Sequence, residues 1–380
     1  MPFDVIVLGL GANGSSALYH LSKTGLKVCG IDRFTPPHVF GSSHGQSRII
    51  RQAYHESPMY VPLVKEAYKL WNELENEWHK QLFLKTGGLM LGTAKSSVVQ
   101  GAKLSAETHG IPYEYLDSKD IQKRFPALKV NKETVALLEK DAGILFPEEC
   151  IQANLTLAKT NGATLLLNEK VTAIKPSNDS VIIITNKGNY VTDKLIVSAG
   201  AWLSQLLPEL NLPLLIERQV LYWYRNTNQA LQSSLLPYAL PIYIWEYEEN
   251  KMFYGFGDLG DGIKIANHHA GTPVLPDLLS QAVSEKEKAD MDAIVYRYFN
   301  IEPQFNYSSV CMYTNTPDEH FILDYHPACK NIIIGSPCSG HGFKFSSLSG
   351  KILADMALEK EINFNLKPFC IDRFHSQLNH

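Results

Sequence analysis

Asp4-Val-Ile-Val-Leu-Gly9-Leu-Gly11-Ala-Asn-Gly14, followed after one helix's length by Lys27-Val-Cys-Gly-Ile-Asp32, is the stretch on which the fold turns. The apolar run 4–8 predicts a short buried strand, and the three glycines predict a tight turn. Ala17, Leu18 and Leu21 have helical spacing, so a helix is predicted over 15–23, ended by Gly25 as a left-handed cap. Residues 27–31 predict a second strand. A strand–helix–strand unit of about 30 residues with Gly-x-Gly-x-x-Gly at its first turn and an acid closing its second strand is a dinucleotide fingerprint. Gly9 permits the turn, Gly11 lets backbone approach a pyrophosphate, and Gly14 lets helix and strand pack closely. The helix N-terminus offers N–H groups and the positive end of its dipole to phosphates. Asp32 stands where an acid accepts hydrogen bonds from a ribose diol. The same glycines could make a bare turn without a ligand, but the strand before them, the helix after them and the acid at 32 argue against that.

Outward from this unit, the chain runs to 380 residues, long enough for two domains. It is 45% hydrophobic and 19% charged with a formal net charge of -4, a balance that excludes a basic nucleic-acid binder. Six cysteines (Cys29, Cys150, Cys311, Cys329, Cys338 and Cys370) include no CxxC pair, so no structural zinc site is expected and the cysteines read as reduced thiols. Residues 4–21 are apolar enough to resemble a secretion signal, yet no basic segment precedes them and Asp4 and three glycines interrupt them. No run reaches the roughly 18 apolar residues of a spanning helix, and the C-terminal Gln-Leu-Asn-His carries no peroxisomal address. The expectation is a cytoplasmic protein without a membrane or nucleic-acid partner.

Residues 35–57 read as a loop rich in Pro, Gly, Ser and His that carries two arginines. An amphipathic helix is predicted over 58–80 with Val61, Val64, Leu70, Trp71 and Leu74 inward, then a strand over 86–93 and a helix near 97–109. Strands are predicted over 163–167, 181–185 and 190–191, with 186–189 a hairpin turn, and 194–202 reads as a buried strand entering a glycine turn. The aromatic-rich segments 222–224, 242–247 and 252–256 predict an antiparallel sheet. A strand over 331–335, a glycine loop and a helix over 346–357 complete the chain. The fold class is therefore α/β: a dinucleotide-binding domain from 1–84, 145–215 and 310–380, with an antiparallel-sheet substrate domain inserted from 85–144 and 216–309. The fingerprint alone leaves FAD and NAD open. The strand 195–197 with Gly200, and Gly340-His-Gly-Phe-Lys344 before a helix, favour FAD.

Gly41-Ser-Ser-His-Gly-Gln-Ser-Arg-Ile-Ile-Arg51, Asp141-Ala-Gly-Ile-Leu-Phe146, Cys311-Met-Tyr-Thr-Asn-Thr-Pro-Asp-Glu-His-Phe-Ile322 and Ser339-Gly-His-Gly-Phe-Lys-Phe-Ser346 make the chain recognisable. It resembles the monomeric sarcosine oxidase and N-methyltryptophan oxidase family of flavin amine oxidases over nearly its whole length. The resemblance implies FAD, oxidation of the C–N bond of a secondary-amine amino acid, O2 as acceptor, hydrogen peroxide as product, and a monomer. It implies cofactor contacts at Gly9, Gly11, Ala12, Asn13, Gly14, Asp32, Arg33, Ser42, Ser43, His44, Arg48, Val171, Gly200 and Trp202, and along Gly340, His341, Gly342, Phe343 and Lys344.

The resemblance also assigns roles. Cys311 matches a cysteine joined to the flavin through a thioether, where composition alone would make it a buried core residue. Arg51 and Lys344 match a carboxylate-binding pair, an arginine fork and a point charge; an arginine near a dinucleotide could instead serve phosphate. Lys264 matches a lysine associated with O2, where a fixed cation stabilises the anion formed on reduction. His44 and Arg48 match residues beside the flavin ring. Tyr254, His268 and Tyr313 match the substrate wall, where a group that removes a proton from the amine is useful. Two regions depart from the pattern: 226–252, with Ile244 and Trp245, and Cys338, both expected to border the pocket. Sarcosine, another N-methyl amino acid, or a cyclic imino acid such as pipecolate or proline therefore remain open as substrates. So does a dehydrogenase with an acceptor other than oxygen.

Overall fold

The computed structural model describes residues 2–177 and 179–374, and the C-terminal Gln-Leu-Asn-His lies outside them. The strands Phe3–Leu8 and Val28–Ile31 pair in parallel, joined by the helix Ala12–Ser22. The glycine turn is as tight as its sequence requires. Gly9 has φ +87°, and a Cβ on Gly14 would lie 1.8 Å from the Gly9 carbonyl oxygen. Only glycine at 14 lets the helix begin that close to the strand.

Around this unit forms an eight-stranded sheet. Its parallel strands run in the order Thr164–Leu166, Val28–Ile31, Phe3–Leu8, Asn189–Val197, Cys329–Ser336, and Ile322–His326 adds an antiparallel edge. The central strands are near-continuous apolar runs because helices cover the sheet. Helix Ala12–Ser22 lies between Pro147–Thr160 and Ser346–Ala357. The ends of the chain meet there. Ser16 Oγ donates to the Ser347 carbonyl at 3.3 Å, and Ser349 Oγ donates to Asn13 Oδ1 at 2.6 Å.

The second layer is a nine-stranded sheet drawn from residues on both sides of the parallel core. Its pairings are antiparallel except one: Ile242–Glu248 runs parallel to Gly88–Thr93, stitching the two expected substrate segments together. Its strand Pro303–Asn315 runs unbroken through residue 309, where the sequence reading set a boundary. Trp245, Phe253, Tyr298 and Phe299 fill its core. Trp245 thus faces away from the cleft, unlike its neighbour Ile244. This corrects the expectation that both border the pocket, since successive strand residues point to opposite faces. A small sheet of Arg48–Ile50, Gly143–Leu145 and Phe83–Lys85 sets the Arg48 segment against the rest.

Most predicted elements lie within a residue or two of their bounds. Ser97–His109, Val181–Thr185 and Ser346–Ala357 match, while Asn189–Val197 fuses two predicted strands into one. The predicted helix 58–80 begins as a 3-10 turn at Pro58–Tyr60 and continues as Val61–Trp78. Helices Pro147–Thr160 and Glu285–Tyr298 went unread, although each carries an N-terminal signal. The first has Pro147 with Glu148 and Glu149 in its first turn; the second has a Ser284–Glu287 capping box. All six cysteines are free. Among the described residues, no helix is long and apolar enough to cross a membrane, and no group of three or more His, Cys, Asp or Glu side chains could hold a metal.

Candidate active site and cofactor cleft

Two contiguous cavities run between the sheets, sharing Ala12, Asn13, Ser42, Ser43 and Cys338 as walls. The larger, about 400 Å³, starts at the glycine turn. Gly9, Gly11, Asp32, Arg33, Val171, Gly200 and Trp202 line it, and His38, Lys170 and Gln205 join them without having been anticipated. Asp32 accepts the Leu10 N–H at 2.7 Å and the Phe34 N–H at 2.8 Å, and burial pushes its carboxyl up. No side chain caps the helix at Ala12, so its N-terminal N–H groups are left to a ligand. Asp277, from the segment after the nine-stranded sheet's edge, accepts from Arg33 at 2.5 Å and Trp202 Nε1 at 2.9 Å, tying both walls together.

The smaller cavity, about 120 Å³, carries an excess of positive charge, whereas acids and bases balance in the larger. Arg48, Arg51, Tyr254, His268 and Tyr313 line it together with Gly340, His341, Gly342, Phe343 and Lys344. The loop at 340 needs glycine twice over: φ is +74°, and a Cβ would meet the Tyr313 ring at 2.6 Å. Arg51 is 1% exposed. Its guanidinium donates to Glu56 at 2.6 Å and to the Ala53 carbonyl at 3.0 Å, lies 2.8 Å from His55 Nδ1, and leaves Nε without a partner. Lys344 Nζ donates to the His341 carbonyl at 2.7 Å. Both cations share the Tyr54 ring, at 4.4 Å and 5.1 Å from its centroid. Burial and then Arg51 bring the Lys344 ammonium down to about 7. Glu56 is held well below the carboxylate range by Arg51 against its burial.

The imidazoles around these charges are neutral. Burial takes His55 down to about 4, His341 to about 3 and His268 well below its ordinary value. His341 has Nε2 3.0 Å from the Glu319 carbonyl, so that nitrogen donates and Nδ1 accepts from Tyr54 OH at 2.5 Å. With Arg48, Arg51 and protonated Lys344 set against Glu56 as the one acid in the wall, the pocket holds two uncompensated positive charges. A small carboxylate would offset one of them.

Gly14, His44, Lys264 and Cys311 lie outside the cavity walls. Lys264, 2% exposed, donates to the Gly45 carbonyl at 2.6 Å and to the Ser47 carbonyl and hydroxyl at 2.9 and 3.1 Å, between the Phe256 and Trp223 rings. Burial and then Arg48 push its ammonium well down. His44 is brought to about 3 by burial, and its Nε2 has no partner, so Arg48 is the cation of that pair. Cys311 packs with Leu221, Trp223 and Ala266; burial raises its thiol, and Arg48 and Lys264 oppose that.

Residues 4–356 match the family described as FAD dependent oxidoreductase. The chain is 40% identical over 361 residues to a monomeric sarcosine oxidase of Streptomyces avermitilis, covering 94% of each. It is 37% identical over 379 residues to an N-methyl-L-tryptophan oxidase of Escherichia coli, covering 98% of this chain and all of that one. The chain belongs to the FAD dependent oxidoreductase family. Its fold is also that of NikD, an amino acid oxidase of nikkomycin biosynthesis (TM-score 0.85, 23% identity, 97% of each chain), and of the L-proline dehydrogenase of P. horikoshii (TM-score 0.83, 18% identity, 99% of this chain and 98% of that one).

The residues present fit FAD. The uncapped helix and glycine turn suit a pyrophosphate, Asp32 lines the same cavity as an acid that could accept from a ribose, and the cleft continues past Ser42 and Ser43 to the charged Arg48 segment. Sequence reasoning missed His55, Glu56 and Met312 in this wall. His55 and Glu56 lie only four and five residues beyond Arg51, so a buried arginine's need for a nearby acid was the available signal.

Because Lys344 titrates near 7, it is charged below that pH and neutral above it. Affinity for a small carboxylate should therefore fall as pH rises through about 7 and level off where Arg51 alone remains. Removing a hydrogen bond to a charged group, ~1.5–3 kcal/mol, corresponds to about tenfold or more in affinity. Titrating acetate into the protein from pH 6 to 9 reads this, and Lys344→Gln should give a weak affinity that no longer changes across the range.

Proposed function

We propose that this protein oxidises the C–N bond of a small secondary-amine amino acid, most simply an N-methyl amino acid, and passes the electrons to O2. The names of its relatives support the reading. The observation that carries it is the buried Arg51–Lys344 pair, in a pocket with a surplus of positive charge, at the far end of a dinucleotide cleft. The overall change is substrate plus O2 plus water giving the primary amino acid, an aldehyde and hydrogen peroxide.

FAD, when bound, supplies the two-electron acceptor between amine and oxygen. The chain's own residues do the rest. Arg51 and Lys344 take the substrate carboxylate by charge-assisted hydrogen bonds, fixing the carbon beside nitrogen in place. The amine must be neutral to lose a hydride equivalent. Three cations close to the pocket, Arg48, Arg51 and Lys344, disfavour the substrate's ammonium form, and neutral His268, 3.3 Å from Tyr313 OH, can accept the amine N–H. Tyr254 and Tyr313 wall the N-alkyl group and keep water out. Lys264, pinned by three acceptors, is the cation that stabilises negative charge developing on O2.

Three finer assignments belong to the same proposal. Cys311 is the residue that would hold the flavin covalently, through a thioether to its methyl carbon. Such a bond would replace a methyl C–H and the thiol S–H, two hydrogens that O2 would take up as hydrogen peroxide. Its support is its place on the strand face of Tyr313; burial raises its thiol, and the charges of Arg48 and Lys264 oppose that rise. The chain acts as a cytoplasmic monomer, in keeping with six free thiols and with its relatives' names. The division into a cofactor part (1–84, 145–215, 310–380) and a substrate part (85–144, 216–309) is also proposed, with the strand Pro303–Asn315 shared between them.

Two measurements test these points. With sarcosine in air, aldehyde and hydrogen peroxide should appear in equal amounts, and Lys264→Met should slow the oxygen half of the cycle far more than the amine half; equal slowing would remove Lys264 from its role. Denaturation and gel filtration should leave the yellow colour with the chain, and Cys311→Ala should release it. A parent protein that gives up its flavin on denaturation has no thioether.

A further inference from the structure

Glu139 closes the strand Thr134–Glu139 of the nine-stranded sheet and is 0% exposed. It touches neither cavity. Its carboxylate instead meets the backbone that follows Arg51. The Gln52 N–H donates to its two oxygens at 2.8 and 3.0 Å, and the Ala53 N–H donates at 2.8 Å. These bonds span 86 and 87 residues of sequence. Ala53 then turns its carbonyl to the Arg51 guanidinium at 3.0 Å. Fixing the N–H groups of residues 52 and 53 fixes the two peptide planes that follow Arg51, and with them the point from which its side chain departs.

A carboxylate is an expensive group to bury for this purpose. Among the described residues no cation lies at salt-bridge distance from it, and burial raises its carboxyl to about 7 against the two amides and Arg51. An apolar side chain would avoid that cost but leave two buried N–H groups unmet. The arrangement links the nine-stranded sheet to the short loop that carries Arg51, His55 and Glu56, all of them pocket-lining.

We propose that Glu139 is a positioning residue for the substrate carboxylate site: it holds the peptide planes after Arg51 so that the guanidinium fork meets the ligand at a fixed place. This rests on the reading of Arg51 and Lys344 as the carboxylate pair. A purely structural anchor is available for comparison. Glu75 accepts the N–H groups of Leu82 and Phe83 at 2.6 and 2.8 Å, the same two-amide grip on a segment that lines no part of the pocket.

The test uses the flavin-loaded protein and acetate as a probe, with binding read from the change it causes in the flavin's visible spectrum. Glu139→Met removes both acceptors at nearly constant volume. It should keep its flavin yet bind acetate about tenfold or more weakly, as misplacing a binding group by a fraction of an ångström does. Glu139→Gln keeps one acceptor oxygen and should recover part of that loss. Glu75→Met should bind acetate as the parent does. Parent-like affinity in Glu139→Met overturns the proposal, and so does an equal loss in Glu75→Met. If Glu139→Met loses its flavin, Glu139→Gln decides alone: several-fold weaker binding supports positioning, and parent affinity overturns it. Arg51→Gln separates the two levels. If it leaves acetate binding unchanged, the carboxylate pair itself is wrong; if it weakens binding while Glu139→Met does not, only the positioning role falls.

Discussion

A guanidinium with 1% exposure needs partners inside the fold, and the charged end of the cleft is organised around that demand at Arg51, with Nε left unmet. Glu56 supplies the counter-charge, the Ala53 carbonyl and His55 take further contacts, and the Tyr54 ring covers one face. What the arrangement does not provide is a second acid. Lys344 stands over the same ring with a backbone carbonyl as its closest acceptor, its ammonium lowered to about 7, and the imidazoles nearby are neutral. Three cations, Arg48, Arg51 and Lys344, thus stand against one acid in the wall, and the proposed partner for the surplus is a substrate carboxylate.

The fold places that imbalance where it can be used. The glycine turn and the uncapped helix at Ala12 form one end of the cleft, and the loop 340–344 with the Arg48–Arg51 segment forms the other. Lys264 is held apart from Arg51 and Lys344, behind the turn at Gly45–Ser47, which Glu148 fixes through the Gly45 N–H at 2.7 Å. In the proposed reading the cations for binding and the cation for oxygen therefore sit on different supports: Arg51 and Lys344 on the loops 51–56 and 340–344, Lys264 on a strand of the nine-stranded sheet. Such a separation would let the two halves of the proposed cycle be tuned independently.

The parallel core was legible because it is local. The run 4–32 contains the turn, the helix and both strands in one window, and burial follows the apolar pattern. The amphipathic helix with Val61, Val64, Leu70, Trp71 and Leu74 inward was equally plain. Helix Glu285–Tyr298 was not, because only Met291, Val295 and Tyr298 are buried along it and too few apolar residues remain to show a period. The strand Leu215–Asn226 was read only at 222–224, since its first half is half-exposed and mixed in polarity. Ile244 and Trp245 were grouped at the pocket although a strand's period of two separates them. Most motif residues of the candidate site line the two cavities, while Gly14, His44, Lys264 and Cys311 do not, and the partners His55, Glu56 and Glu139 belong to no motif. Glu139 has no local signature, because the amides it holds are distant in sequence and become its neighbours only once two sheets have packed.

The most direct test of the whole reading is anaerobic. The purified yellow protein is mixed without oxygen with sarcosine, bulkier N-methyl amino acids, pipecolate and proline in turn, and its visible absorbance is followed. The expected result is rapid bleaching by a compound of this class, fastest with an N-methyl amino acid, and recovery of the colour on admitting air. Bleaching by dithionite but by none of these amines would contradict the assignment of the Arg51–Lys344 pocket as a secondary-amine site.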